Sequence, residues 1–264
     1  MSRVRRKRKI LWIPILGSLV VLFFIVPVKW TANRRNSVAE SQKLYVAEKK
    51  EPDEGKNSLE KGEISEEIES LFYMTPLSEE IKAKITGVSY PKEDEDVQIR
   101  YEDLVYVHVL HYDFEGGVKE GELICNRKIG QDLLDIFYSL YENEYPIEKM
   151  RLIDCYGGDD DASMEDNNTS CFNYRLVTGT DHLSKHSYGL AIDVNPLYNP
   201  YVTKRNGVTV VSPRQGEIYA DRSGDFAYKI DEEDLCYRLF LEHGFTWGGS
   251  WKYSKDYQHF EKKL

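Results

Sequence analysis

From Ile10 to Val28 the chain carries no charged side chain, and Arg3, Arg5, Arg6, Lys7, Arg8 and Lys9 stand directly before it. An apolar run of this length is about what a single helix needs to cross a bilayer. Trp12 and Trp30 sit near its two ends, where amphipathic rings favour the headgroup region. The flanking basic cluster keeps residues 1–9 on the cytoplasmic side and sends the rest of the chain outside. A cleaved signal peptide is the rival reading, but Val26-Pro27-Val28-Lys29-Trp30 offers no cleavage site of small residues. The expectation is therefore an uncleaved transmembrane helix over residues 10–30 in the cell membrane.

Beyond the run the chain divides in two. Residues 31–65 are polar, charged and poor in aromatics, and read as a linker or stalk. Residues 66–264 suffice for one domain with its own core. The whole chain of 264 residues has a formal net charge of -10. Its basic residues cluster only at the N-terminus, which argues against a nucleic-acid partner, since no basic domain remains to neutralise phosphates. Four cysteines, Cys125, Cys155, Cys171 and Cys236, show no CxxC spacing and so no cysteine metal site. Outside the cell they could equally be bridged or buried as thiols.

Within residues 66–264 the periodicities mix. Ser78 with Glu79 and Glu80 opens a short helix that Gly87 closes. Leu104 to Tyr112, rich in Val, Tyr and His, reads as a strand. Its His108 and His111 are an odd number apart, face opposite sides and so make a poor ligand pair. Gly116-Gly117 is a turn. Ile129, Leu133, Ile136, Phe137 and Leu140 have helical spacing, and Pro146 stops that helix. Met150 to Asp154 reads as a short strand. Asp159-Asp160-Asp161 could offer oxygens to calcium, though not at EF-hand spacing. A last helix covers Glu232 to Glu242, with Gly244 after it. Irregular strands mixed with helices predict an α+β fold and exclude a doubly wound sheet.

The densest chemistry lies in Ser184-Lys185-His186-Ser187-Tyr188-Gly189-Leu190-Ala191-Ile192-Asp193 and in Asp256-Tyr257-Gln258-His259-Phe260-Glu261. As a strand, the segment after Gly189 puts Leu190, Ile192 and Val194 on one face, and Ala191 and Asp193 on the other. The second face carries a carboxylate beside small residues. A straight strand would set His186 opposite Asp193, so His186 must reach in from a bend at Gly189. Asp256 and His259, three apart, share a face on a turn or helical segment. Two imidazoles, a ligand carboxylate and a spare carboxylate are the inventory of a catalytic zinc site. Glu261 or a backbone carbonyl would orient the outer nitrogen of His259. Taken singly, each of these residues is more often a turn cap or a hydrogen-bonded histidine.

Together, Ser184-x-His186-x-x-Gly189-x-Ala191-x-Asp193 and Asp256-x-x-His259 resemble the M15 family of zinc D-alanyl-D-alanine peptidases. That group includes VanY-like carboxypeptidases and L-alanyl-D-glutamate endopeptidases. The resemblance runs over roughly Leu123 to Glu261 and takes in Phe172-Asn173-Tyr174-Arg175, Asp193-Val194-Asn195-Pro196 and Trp247-Gly248-Gly249-Ser250-Trp251. It implies a Hedgehog/DD-peptidase fold, zinc on His186, Asp193 and His259, and Asp256 as general base. It further implies an arginine on the substrate or oxyanion, for which Arg175 is the candidate, and Ser184 lining the pocket. Relatives often carry Asp where this chain has Ser250. The implied substrate is the peptidoglycan stem peptide, cut as a D,D-carboxypeptidase or, alternatively, as an L-Ala-D-Glu endopeptidase. A non-catalytic zinc-containing wall-binding domain is the rival from another class.

Overall fold

The computed structural model describes residues 66–92 and 97–264. The expected basic tail, membrane-crossing run and linker, residues 1–65, lie outside the described residues. Among the described residues no helix is long and apolar enough to cross a membrane.

The domain is α+β, as the mixed periodicities require. Strands β1 (Tyr73–Pro76), β2 (Leu104–Tyr112) and β3 (Val118–Asn126) form an antiparallel sheet in that order. A short helix, α1 (Glu79–Ile85), lies between β1 and β2, and the Ser78 side chain caps it by accepting from the Ile81 amide. The β2–β3 hairpin turns through Gly116 in the left-handed region. Helix α2 (Gly130–Glu142) comes next, and the predicted stripe Ile129, Leu133, Ile136, Phe137 and Leu140 is buried along it. Alternation along β2 sorts its side chains. Val107 and Val109 face the α2 core. Leu104 faces a second cluster with Leu77, Ile85 and Phe172.

Two expectations shift. The strand expected over Met150 to Asp154 shrinks to β4 (Lys149–Met150), paired in parallel with β5 (Asn168–Thr169). Ile153–Tyr156 turns instead into a 3-10 helix. Helix α3 (Asp160–Glu165) lies between those two strands. The last helix, α4 (Leu235–Glu242), starts later than Glu232 because the Asp234 side chain accepts from the Cys236 and Tyr237 amides and caps it there.

Two further sheets carry the chemistry. One is formed by β6 (Ala191–Asp193), β9 (Thr246–Trp247) and β11 (His259–Glu261), with β11 in the middle. The other is β7 (Tyr201–Arg205) and β8 (Val208–Ser212) with β10 (Lys255–Asp256) at the edge beside β7. The floor of the first sheet is apolar. Ile192, Val194 and Phe260 are fully buried, and the Phe260 ring stacks on Phe240 of α4 with centroids 4.3 Å apart. Each such ring contributes about 1.5–3 kcal/mol by leaving water. This packing, remote from the polar face, fixes the height and register of β6 and β11.

Candidate metal centre

Asp193 and His259 stand directly opposite each other, because β6 and β11 pair antiparallel in the register His259↔Asp193, Phe260↔Ile192 and Glu261↔Ala191. Strand alternation then sends Ile192 and Phe260 to the core, and Asp193 and His259 to the other face together. On its free edge β6 is held by Ser170, which exchanges both backbone hydrogen bonds with Asp193.

His186 arrives by the predicted bend. Lys185–Tyr188 is one 3-10 turn, capped by the Ser184 hydroxyl, which accepts from the His186 amide, and closed by Gly189 at φ 62°. A Cβ on Gly189 would lie 2.5 Å from the Asn126 nitrogen. Only glycine combines that backbone conformation with that approach. Asn126 in turn clamps the turn: its amide donates to the Gly189 carbonyl at 2.8 Å and its side chain to the Tyr188 carbonyl at 3.0 Å.

The three side chains converge. His259 Nδ1 lies 2.9 Å from Asp193 Oδ1, His186 Nε2 lies 3.2 Å from Asp193 Oδ2, and the two ring nitrogens are 3.2 Å apart. All three residues are buried. The outer nitrogens have partners of their own. His186 Nδ1 is 2.6 Å from the Cys171 carbonyl, and His259 Nε2 is 3.5 Å from Glu261. A carbonyl only accepts, so His186 carries its proton on Nδ1 and presents a lone pair inward. Glu261 engages the outer nitrogen of His259 in the same way. The inner nitrogens then face each other across a buried carboxylate, an arrangement that needs a cation between them, either a shared proton or a metal ion. Ligand atoms around a tetrahedral zinc stand roughly 3.3 Å apart, given bonds of about 2.0–2.2 Å. The residues therefore fit a divalent metal of zinc's size and donor preference.

Asp256 approaches from the neighbouring sheet. It ends β10, and Tyr257-Gln258 step across to His259 at the head of β11. This is a strand-to-strand step, where a turn or helical segment was expected. The step is fixed on both sides: Trp247 Nε1 donates to the Tyr257 carbonyl at 2.9 Å, and the Arg222 guanidinium lies 4.4 Å from the centre of the Tyr257 ring. Gly248 makes room, since a Cβ there would lie 2.7 Å from Asp256 Cβ. Asp256 Oδ1 is enclosed and has no hydrogen-bond partner.

The electrostatics separate the two aspartates. Burial pushes the Asp256 carboxyl up to about 7, against the pull of His259. Asp193 is also buried, yet His186 and His259 hold its carboxyl well below the usual range. His259, despite burial, is raised to about 10 by its bonds to Asp193 and Glu261. One carboxylate is thus held as a permanent anion, and the other is poised to exchange a proton.

Arg175 lies outside the ligand cluster but is tied to the turn that carries His186. Its amide donates to Ser187 Oγ at 2.9 Å, and its carbonyl accepts from the Ser184 amide at 3.0 Å. Its Nη2 pairs with Asp160 at 2.6 Å. In sequence Asp160 is only part of an acidic run; the structure gives each member a separate task. Asp159 caps α3, and Asp161 meets Ser212. Sequence reasoning also missed the Cys171 carbonyl on His186 and the Trp251 ring 5.3 Å from the His259 ring. Neither leaves a local signal. Ser250 closes the 3-10 turn Gly248–Ser250 and is no ligand. His108 and His111 stay out of the site: their Nδ1 atoms contact the Leu71 and Ile147 carbonyls. All four cysteines are free thiols, with only Cys155 exposed.

No curated protein and no solved structure matches the chain. A family model does, the one described as D-alanyl-D-alanine carboxypeptidase, over residues 178–262. That is a shorter stretch than Leu123 to Glu261, yet it holds His186, Asp193, Asp256 and His259 together. The segment that builds the site is thus similar to the M15 peptidases.

Proposed function

We propose that this protein is a zinc peptidase that hydrolyses peptidoglycan stem peptides as a D-alanyl-D-alanine carboxypeptidase. The observation that carries the reading is the pairing of a closed His186–Asp193–His259 donor set with the enclosed, unpartnered Oδ1 of Asp256. A purely structural metal site has no need of a spare carboxylate at its edge.

Bound by His186, Asp193 and His259, zinc would supply Lewis acidity toward the scissile carbonyl and lower the pKa of water to about 7. The protein's own groups do the rest. Asp256 takes a proton from the attacking water at Oδ1 and passes it to the leaving amine. Arg175 donates to a substrate oxygen, and Ser184 lines the approach. Cys171 and Glu261 hold the two imidazoles in the tautomers that binding needs. Trp251 walls the site beside His259.

The same reading places the protein at the cell surface. The basic residues 3–9 and the apolar run 10–28 anchor the chain in the membrane as a single pass and put residues 66–264 outside, within reach of the wall. The test is hydrolysis of defined stem peptides by the purified chain, with and without a chelator. Release of D-alanine that stops on chelation and returns with zinc is the expected result. Release of a larger fragment would identify the L-Ala-D-Glu endopeptidase instead. Metal binding without turnover would identify a binding domain.

A further inference from the structure

We propose that Asp160 is a positioning residue for Arg175, holding its guanidinium by one terminal nitrogen so that Nε is presented to the carbonyl oxygen under attack. The inference rests on the peptidase reading and adds a residue to it. Both residues lie outside the stretch that the family model matches.

Three observations carry it. Arg175 Nη2 donates to Asp160 Oδ2 at 2.6 Å, with both side chains about three-quarters shielded, at 28% and 26% exposure. Arg175 Nε is enclosed and has no partner, one of three such side-chain atoms among the described residues. A buried donor left unpaired costs about 1–3 kcal/mol. The other two are Asp256 Oδ1 and Gln258 Oε1. One lone donor, on Arg175, and two lone acceptors, on Asp256 and Gln258, thus remain, and donor and acceptor are the two kinds of group that a substrate under attack would need. The backbone of Arg175 is pinned as well: its carbonyl accepts from Ser187 Oγ at 2.8 Å and from the Ser184 amide at 3.0 Å. With the main chain held at one end and Nη2 at the other, the guanidinium plane has little freedom.

The charge balance decides what Arg175 is suited to. A free guanidinium grips a carboxylate with two parallel donors. Here Asp160 occupies one terminal nitrogen and offsets the positive charge. Of the N–H groups that remain, Nε is the enclosed one, and a donor held in one direction gains most against an oxygen that becomes negative as the amide is attacked. Asp160 also lies within electrostatic reach of His186 and Asp193.

The experiment uses the full chain loaded with zinc and a stem peptide ending in D-Ala-D-Ala. Asp160→Asn keeps the shape and removes the charge; Asp160→Ala removes both. The expected result is a kcat lowered about 10-fold in the first and about 100-fold in the second, approaching the loss of one oxyanion donor. KM, zinc content and melting temperature stay near wild type. Adding Asp160→Ala to Arg175→Lys should lower kcat little further, because the two act as a unit. A raised KM with unchanged kcat would overturn the proposal and make Arg175 a carboxylate clamp. A lowered melting temperature with unchanged kcat would also overturn it, leaving a structural ion pair. Zinc-loaded wild type that hydrolyses no stem peptide would sink the peptidase reading itself, whereas active wild type with an equally active Asp160→Ala would sink this inference alone.

Discussion

Two pairs of buried histidines in this domain begin alike and end differently. His108 and His111 on β2, and His186 in its turn, each set Nδ1 against a main-chain carbonyl, at 2.7, 2.8 and 2.6 Å. Burial and anchoring are therefore the same in these three, while the outer nitrogen of His259 meets Glu261. The difference is where the second nitrogen goes. On one straight strand, positions 108 and 111 diverge; the Nε2 of His108 meets Glu120, at 3.7 Å. His186 and His259 come from separate segments and meet over Asp193, with their inner nitrogens 3.2 Å apart. A buried histidine becomes a candidate ligand through convergence, which neither burial nor residue type supplies.

Removing one histidine from each pair tests this contrast most severely. His259→Ala should abolish both stoichiometric zinc and hydrolysis, while His111→Ala keeps both; metal analysis beside a peptide assay reads the pair. Zinc retained by the first variant would remove His259 from the donor set. Next in size is Asp256→Asn, which should keep zinc and lower kcat by about 10²–10⁴-fold, the worth of a general base. Full activity in that variant would end the assignment. Phe260→Ala attacks the convergence from beneath. The lost ring should lower stability by about 3–5 kcal/mol, and misregister of β11 should weaken zinc binding with it, seen by denaturant titration with and without metal.

Smaller effects separate ligation from mere burial. Glu261→Gln should weaken zinc about 10–100-fold, as loss of an orienting partner does; an equally tight site would show that Glu261 only fills space. The smallest effect belongs to a carboxyl outside the site. Burial raises Asp234 to about 6, even though it caps α4 and accepts from Tyr145. The folded state therefore binds its proton more tightly than the unfolded chain does, where the value is about 3.9. Its contribution is full below about pH 4 and is lost as pH rises through about 6. Asp234→Asn should flatten the fall in melting temperature across that window; an unchanged slope would remove Asp234 as its source.

Much of this was legible in the chain because it is local. The limits of β2, the buried stripe of α2 and the glycine stop after α4 follow from periodicity and from residues with special backbone freedom. The bend that brings in His186 was readable from Gly189. The strand beyond Met150 and the start of α4 were not, since the competing caps and 3-10 turn depend on how neighbouring segments pack. Asp160 shows the same limit: in sequence it is one acid among three, and only the fold gives it an arginine.

The sequence alone determined which atoms could bind a metal, on which face of its strand Asp193 would stand and that His186 would reach in from a bend, because alternation and turn chemistry act over a few residues. Tertiary structure decided that they meet. Asp193 and His259 are 66 positions apart, and their register is set by Ile192 and Phe260 packing beneath the sheet. The orienting carbonyl of Cys171 and the grip of Asp160 on Arg175 were decided in the same way. Each joins segments that only a shared hydrophobic core brings together, and core packing acts across the whole domain and leaves no pattern in any one segment.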